Sequence, residues 1–76
     1  MMVTKFIIQM TMPTRPDLEY FYRGQNKEGN AVFGFQKSVA KRYDFVEEAD
    51  RDARILTAVH KQDGDTFKVV TVRQRA

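Results

Sequence analysis

Residues Tyr43 to Val59, YDFVEEADRDARILTAV, carry the only sustained helical period in the chain. Val46, Ala49, Ala53 and Leu56 recur at spacings of three and four, which aligns them in one apolar stripe. Phe45 and Val59 flank the stripe, and Glu47, Asp50, Arg51 and Arg54 fall on the opposite side. Two alanines in mid-stripe let such a helix lie close on a sheet. Asp44 is placed to accept the free N–H groups of the first turn, and Glu47 three residues later completes a capping-box spacing. Asp44, Glu47 and Glu48 also set negative charge at the positive end of the helix dipole. Lys61-Gln62-Asp63-Gly64-Asp65 then supplies turn chemistry, with Gly64 at the left-handed position. Ile55 lies about 100° from the stripe centre. It is either an apolar residue packed on a terminus or exposed singly, or a contact residue for a partner.

The sequence on either side of the helix reads as strand. From Val3 to Met12, Phe6, Ile8, Met10 and Met12 alternate with Lys5, Ile7, Gln9 and Thr11, and the first set is expected to face the helix. Pro13-Thr14-Arg15-Pro16-Asp17 is expected to be a connecting loop with Arg15 at its tip, because proline cannot donate to a ladder. Leu18 to Gly24 and Ala31 to Gln36 form a hairpin across the polar turn Gln25 to Asn30. Gly34 admits a close neighbour or marks a bulge. Lys37 to Arg42 links the hairpin to the helix, and its three basic residues are expected to pair with the acidic helix start. Thr66 to Arg75 is the last strand, and both of its alternating sets contain apolar members, so pattern alone selects neither as the buried one. The expectation is one α+β domain over residues 1–76, in the order β-β-β-α-β, with a small antiparallel sheet and one helix across one face. A single helix leaves the second sheet face uncovered, exposing either the tyrosine pair or Phe21 with Ile7, and a homodimer through that face is one expectation.

Composition narrows the chemistry. There is no cysteine, hence no disulfide and no thiolate zinc site. No apolar run is long enough to span a membrane, and MMVTKFIIQM reads as strand and not as a secretory signal, so a soluble intracellular protein is expected. His60 is the only histidine and Ser38 the only serine, on different elements and outside any triad motif. His60 reads as a polar residue near the last helix carbonyls. No calcium-loop spacing and no phosphate-binding glycine motif occurs. Enzyme activity, a metal site and a cofactor are therefore not expected. The net charge is +3, but five of the ten acidic residues fall between Asp44 and Asp52, where Arg51 is the only base. The remainder is strongly basic, an asymmetry that can steer a charged partner.

Two binding chemistries follow. The helix face Glu47, Asp50, Arg51 and Arg54, with Arg15 in the proline loop, suits a protein partner, its carboxylates presenting to basic groups of a groove. Alternatively, Tyr20, Tyr22 and Arg23 with Arg73 and Arg75 combine stacking rings with phosphate-neutralising charge, as a single-strand nucleic-acid binder requires. Val32-Phe33-Gly34-Phe35 echoes part of an RNA-recognition motif but lacks its basic-glycine start. Ala40, Arg42, Tyr43, Asp44, Glu47, Glu48 and Ala49, followed by the strand Phe67 to Val72, resemble the C-terminal half of many small phage and mobile-element proteins. That resemblance covers about half the chain. It implies a non-enzymatic accessory protein in the host-cell cytoplasm that binds and inhibits a host complex, as anti-CRISPR proteins and RNA-polymerase inhibitors do.

Overall fold

A computed structural model describes residues 1–76. Strands β1 (Met2–Met12), β2 (Arg15–Gln25) and β3 (Ala31–Gly34) precede helix α1 (Val46–Val59), and strand β4 (Thr66–Arg75) follows it. Short 3-10 turns at Lys37–Val39 and Lys61–Asp63 join these elements. The four strands form one antiparallel sheet in the order β3-β2-β1-β4, so the fold is α+β, with β1 at the centre.

α1 packs as its period predicts. Ala49, Ala53 and Leu56 are buried and meet Ile8, Tyr22 and Tyr43, with Phe6, Phe33, Phe67 and Val69 around them. Val46, at the start of the stripe, remains exposed. The helix begins later than the capping-box spacing predicts. Phe45 occupies the cap position with no side-chain cap bond, and Asp44 pairs instead with Lys5 of β1. The acidic first turn of Glu47 and Glu48 is present, so the dipole interaction remains although the cap does not. At the other end Gly64 adopts φ 73°, the left-handed position expected of it.

The β1–β2 connection differs from the expected five-residue loop. Only Pro13 and Thr14 form the turn, and Arg15 already pairs with Met12. Pro16 is tolerated because the ladder is irregular there: from the Met12–Arg15 pair to the Met10–Tyr20 pair, β1 advances two residues while β2 advances five. β3 is only four residues long, pairing from Ala31 with Gln25 to Gly34 with Phe21. A bulge lies in β2 between Tyr22 and Gly24, where Gly24 takes φ 108°. Gly34 serves close approach, since an added Cβ there would stand 2.8 Å from Val39 Cγ2.

The second sheet face is not open. Ile7 and Phe21 point away from the helix yet are buried, together with Ala40, against Val70 and Val72. The covering group is the connector after β3. Arg42 braces it: Nε donates to Gln74 Oε1 of β4, and Nη1 donates to the carbonyls of Lys37 and Ala40. The basic connector is thus held mainly by backbone and amide acceptors, and only Lys41 among its three bases approaches a helix carboxylate, Asp52 at 3.9 Å. Past Ala40 the connector enters the sheet plane. Lys41 N–H donates to the Tyr22 carbonyl, and Phe6 and Tyr43 exchange both backbone bonds at 3.0 and 2.9 Å. The chain therefore passes from one sheet face to the other through the open end of the β1–β2 hairpin. This also explains the double apolar pattern of β4, which packs Phe67 and Val69 under the helix and Val70 and Val72 under the connector.

Two substitutions test the covered second face. Ile7→Ala and Ile8→Ala should each cost about 2–4 kcal/mol in urea unfolding, because both side chains are fully buried. An open second face would leave Ile7→Ala within about 0.5 kcal/mol of wild type.

Candidate protein-binding site

Burial of the alanine stripe turns Glu47, Asp50, Arg51 and Arg54 outward, and all four are exposed. With Ile55 they line a shallow depression of about 390 Å³ on the outer side of α1. Arg15 is not among them. It sits at the start of β2, exposed, in an ion pair with Asp17 at 3.5 Å. The structure therefore brings together the four helix residues singled out from periodicity and leaves the fifth elsewhere.

A larger cleft of about 630 Å³ adjoins this depression, between α1 and the β2–β3 loop. Arg51 and Ile55 line both, so the two form one continuous surface. Tyr22, Ala31 and Leu56 contribute its apolar part, and Val59 and His60 line it at the C-terminal end of the helix. The facing loop is rigidly built: Asn26 Oδ1 accepts from the N–H groups of Glu28 and Asn30, both at 3.0 Å, and Gly29 supplies a positive φ. Ile55 is 54% exposed and Val59 72%, one helical turn apart. The isolated Ile55 of the sequence thus has an apolar neighbour and a charged rim.

The base of the cleft holds a charged cluster. The Tyr43 hydroxyl donates to Asp52 Oδ2 at 2.7 Å. Lys41 stands over the Tyr43 ring at 5.0 Å from its centroid, and Arg51 Nε lies 3.8 Å from Asp52. Burial, then the bond to Asp52 and that residue's charge, hold the Tyr43 hydroxyl far above the ordinary tyrosine range. Burial also raises Tyr22, with a further contribution from Asp52. Arg51 and Lys41 neutralise Asp52, so the cleft presents both signs of charge.

The alternative set does not converge. Tyr22 is buried in the helix-side core and is unavailable for stacking. Arg23 projects from the sheet face opposite to Tyr20 and Tyr22, as strand alternation requires. Arg73 and Arg75 are exposed on β4, opposite Thr4 and Met2, toward the free end of β1. Tyr20 does retain a surface partner: its ring lies 4.9 Å from that of Phe35, which is 69% exposed.

Sequence reasoning missed the Tyr43–Asp52–Lys41 cluster and the neighbourhood of His60. Tyr43 and Asp52 are nine positions apart and off any helical spacing, so only the crossing connector joins them. His60 is not engaged with helix carbonyls through its ring; it lies between Phe33 and Phe67 and faces Asp63 and Asp65. No helix is long and apolar enough to cross a membrane. No protein-family model matches the chain, and no curated protein or solved structure is significantly similar to it.

The tyrosine shifts fix a pH dependence. Below about pH 10 the tyrosines are protonated in both folded and unfolded chains, and they add no slope. Above it the unfolded chain releases these protons while Tyr43 and Tyr22 retain them in the fold, so stability falls as pH rises. The loss should reach about 1.4 kcal/mol per pH unit for each such tyrosine. Tyr43→Phe should cost about 1 kcal/mol at neutral pH, through the lost bond to Asp52, and should flatten the alkaline limb. Urea unfolding across the pH range measures both, and an unchanged limb in Tyr43→Phe would assign the slope to other groups.

Proposed function

We propose that this chain is a non-enzymatic binding protein that modulates or inhibits a host protein complex through the outer surface of α1 and its adjoining cleft. The observation that carries this reading is the pair Ile55 and Val59, exposed one turn apart, with Glu47, Asp50, Arg51 and Arg54 lining the depression beside Ile55. An apolar centre with a polar rim is the anatomy of a protein interface. Charges of both signs suit a protein surface better than a uniform row of phosphates. The resemblance of Ala40, Arg42, Tyr43, Asp44, Glu47, Glu48 and Ala49 to small phage and mobile-element proteins supports a target inside a host complex of the anti-CRISPR or RNA-polymerase-inhibitor kind.

Tagged protein should capture a stoichiometric protein partner from bacterial lysate, and nuclease should not release it. Ile55→Asp, or the double variant Glu47→Lys/Asp50→Lys, should reduce capture by roughly tenfold or more while leaving the circular dichroism spectrum unchanged. Capture that persists in both variants would remove the α1 surface from the interface. Recovery dominated by nucleic acid and lost with nuclease would instead support a second reading, in which the exposed Tyr20–Phe35 pair stacks on bases.

A further inference from the structure

The turn after α1 gathers three metal-ligating side chains. His60 Nδ1 lies 3.7 Å from Asp63 Oδ2 and 3.5 Å from Asp65 Oδ2, and the three atoms are all within 4.8 Å of one another. Backbone geometry produces the grouping. The helix ends at Val59, Lys61–Asp63 continues as a 3-10 turn, and Gly64 at φ 73° folds Asp65 back toward His60. The imidazole is held in place by the Phe33 and Phe67 rings, at 5.9 and 5.4 Å between centroids.

Asp65 supplies a second, separate observation. Its side chain is 8% exposed, and its Oδ2 lies 3.5 Å from the His60 nitrogen. A cation close to it favours a carboxylate so largely withdrawn from water. The His60 Nδ1 lies nearly equidistant from two carboxylate oxygens, farther from each than the roughly 2.7–2.9 Å of a direct charged hydrogen bond. Ligands of a tetrahedral zinc ion, bound at about 2.0–2.1 Å, stand about 3.3–3.4 Å apart. The two separations from His60 are close to that spacing, and the two carboxylate oxygens lie within 4.8 Å of each other.

We propose that His60, Asp63 and Asp65 form a binding site for a divalent transition metal of the zinc class. His60 contributes the Nδ1 lone pair with its proton on Nε2, and each aspartate contributes one oxygen. Three protein ligands leave a fourth position on the side of Asp63, which is 70% exposed. Imidazole with carboxylates suits zinc, whereas magnesium and calcium take all-oxygen sets. The site uses none of the residues that form the α1 surface depression, and it meets the adjoining cleft only at His60.

Calorimetric titration of the chelator-treated protein with zinc chloride tests the proposal. One equivalent should bind, magnesium should not compete, and cobalt(II) in place of zinc should give the visible absorption of a tetrahedral site. Asp65→Asn is isosteric, and Asp63→Asn changes an exposed side chain that the fold does not need. Each should weaken zinc binding by roughly tenfold or more. His60→Phe keeps an aromatic ring between Phe33 and Phe67 and should abolish the cobalt spectrum. Absence of zinc binding by the folded wild-type protein, or equal binding by wild type and Asp63→Asn, would overturn the assignment.

Discussion

The reciprocal backbone pair between Phe6 and Tyr43 is the constraint on which the rest of the molecule depends. β1 is paired with β4 along its whole length but with β2 only from Gln9 onward. Its remaining edge, toward Met2, would otherwise present unpaired N–H and C=O groups in the middle of a small sheet, where such groups are costly. The connector fills part of that gap at Phe6, and Lys41 N–H satisfies the Tyr22 carbonyl across it. A second consequence is topological. A chain that crosses the sheet plane can cover both faces without a second helix. Ala40 lies on one side and Tyr43 on the other, only three residues later.

This arrangement lets a 76-residue chain build a two-sided core. A domain of this size buries a small share of its surface, so each fully buried side chain carries weight. Ile7 and Ile8 are adjacent in sequence and both fully buried, which on a strand means that both faces are covered. Burying each contributes about 2–3 kcal/mol relative to exposure. Only one of them is beneath the helix. The other depends on Ala40 and the Arg42 brace, so the connector contributes to stability as a structural layer and not merely as a link.

The legibility of the sequence follows from which interactions are local. The helix stripe and the Gly64 turn were readable because 3.6-residue periodicity and left-handed glycine are properties of short windows. The Gln25 to Asn30 hairpin turn was readable for the same reason, with Asn26 and Gly29 in its loop. Asp44 failed as a cap because a distant residue, Lys5, recruits its carboxylate. The Pro16 strand start was misread because proline rules assume a regular ladder, and the β1–β2 pairing is irregular at that point. β4 withheld its buried face because it has two, a fact visible only once the connector is in place. Likewise, the helix residues Glu47, Asp50, Arg51 and Arg54 were found from period alone, whereas Tyr22 was assigned to a surface although the sheet face it shares with Ile8 is the one the helix covers.

Covering both sheet faces also decides where apolar surface remains. Of the eight large hydrophobic residues left exposed, Met1 and Met2 lie at the chain end, and Phe35 and Val39 lie on the strand-to-connector segment. The other four, Phe45, Val46, Ile55 and Val59, belong to α1 and its cap. The free edge of β4 carries Lys68, Arg73 and Arg75, charges of the kind that discourage strand addition. Half of the exposed large hydrophobic residues therefore belong to the helix and its cap. The helix is also where the acidic residues concentrate, on a chain otherwise basic. In the proposed binding mode, attraction over distance and apolar contact on docking would act through the same element, the first setting orientation and the second supplying the buried area.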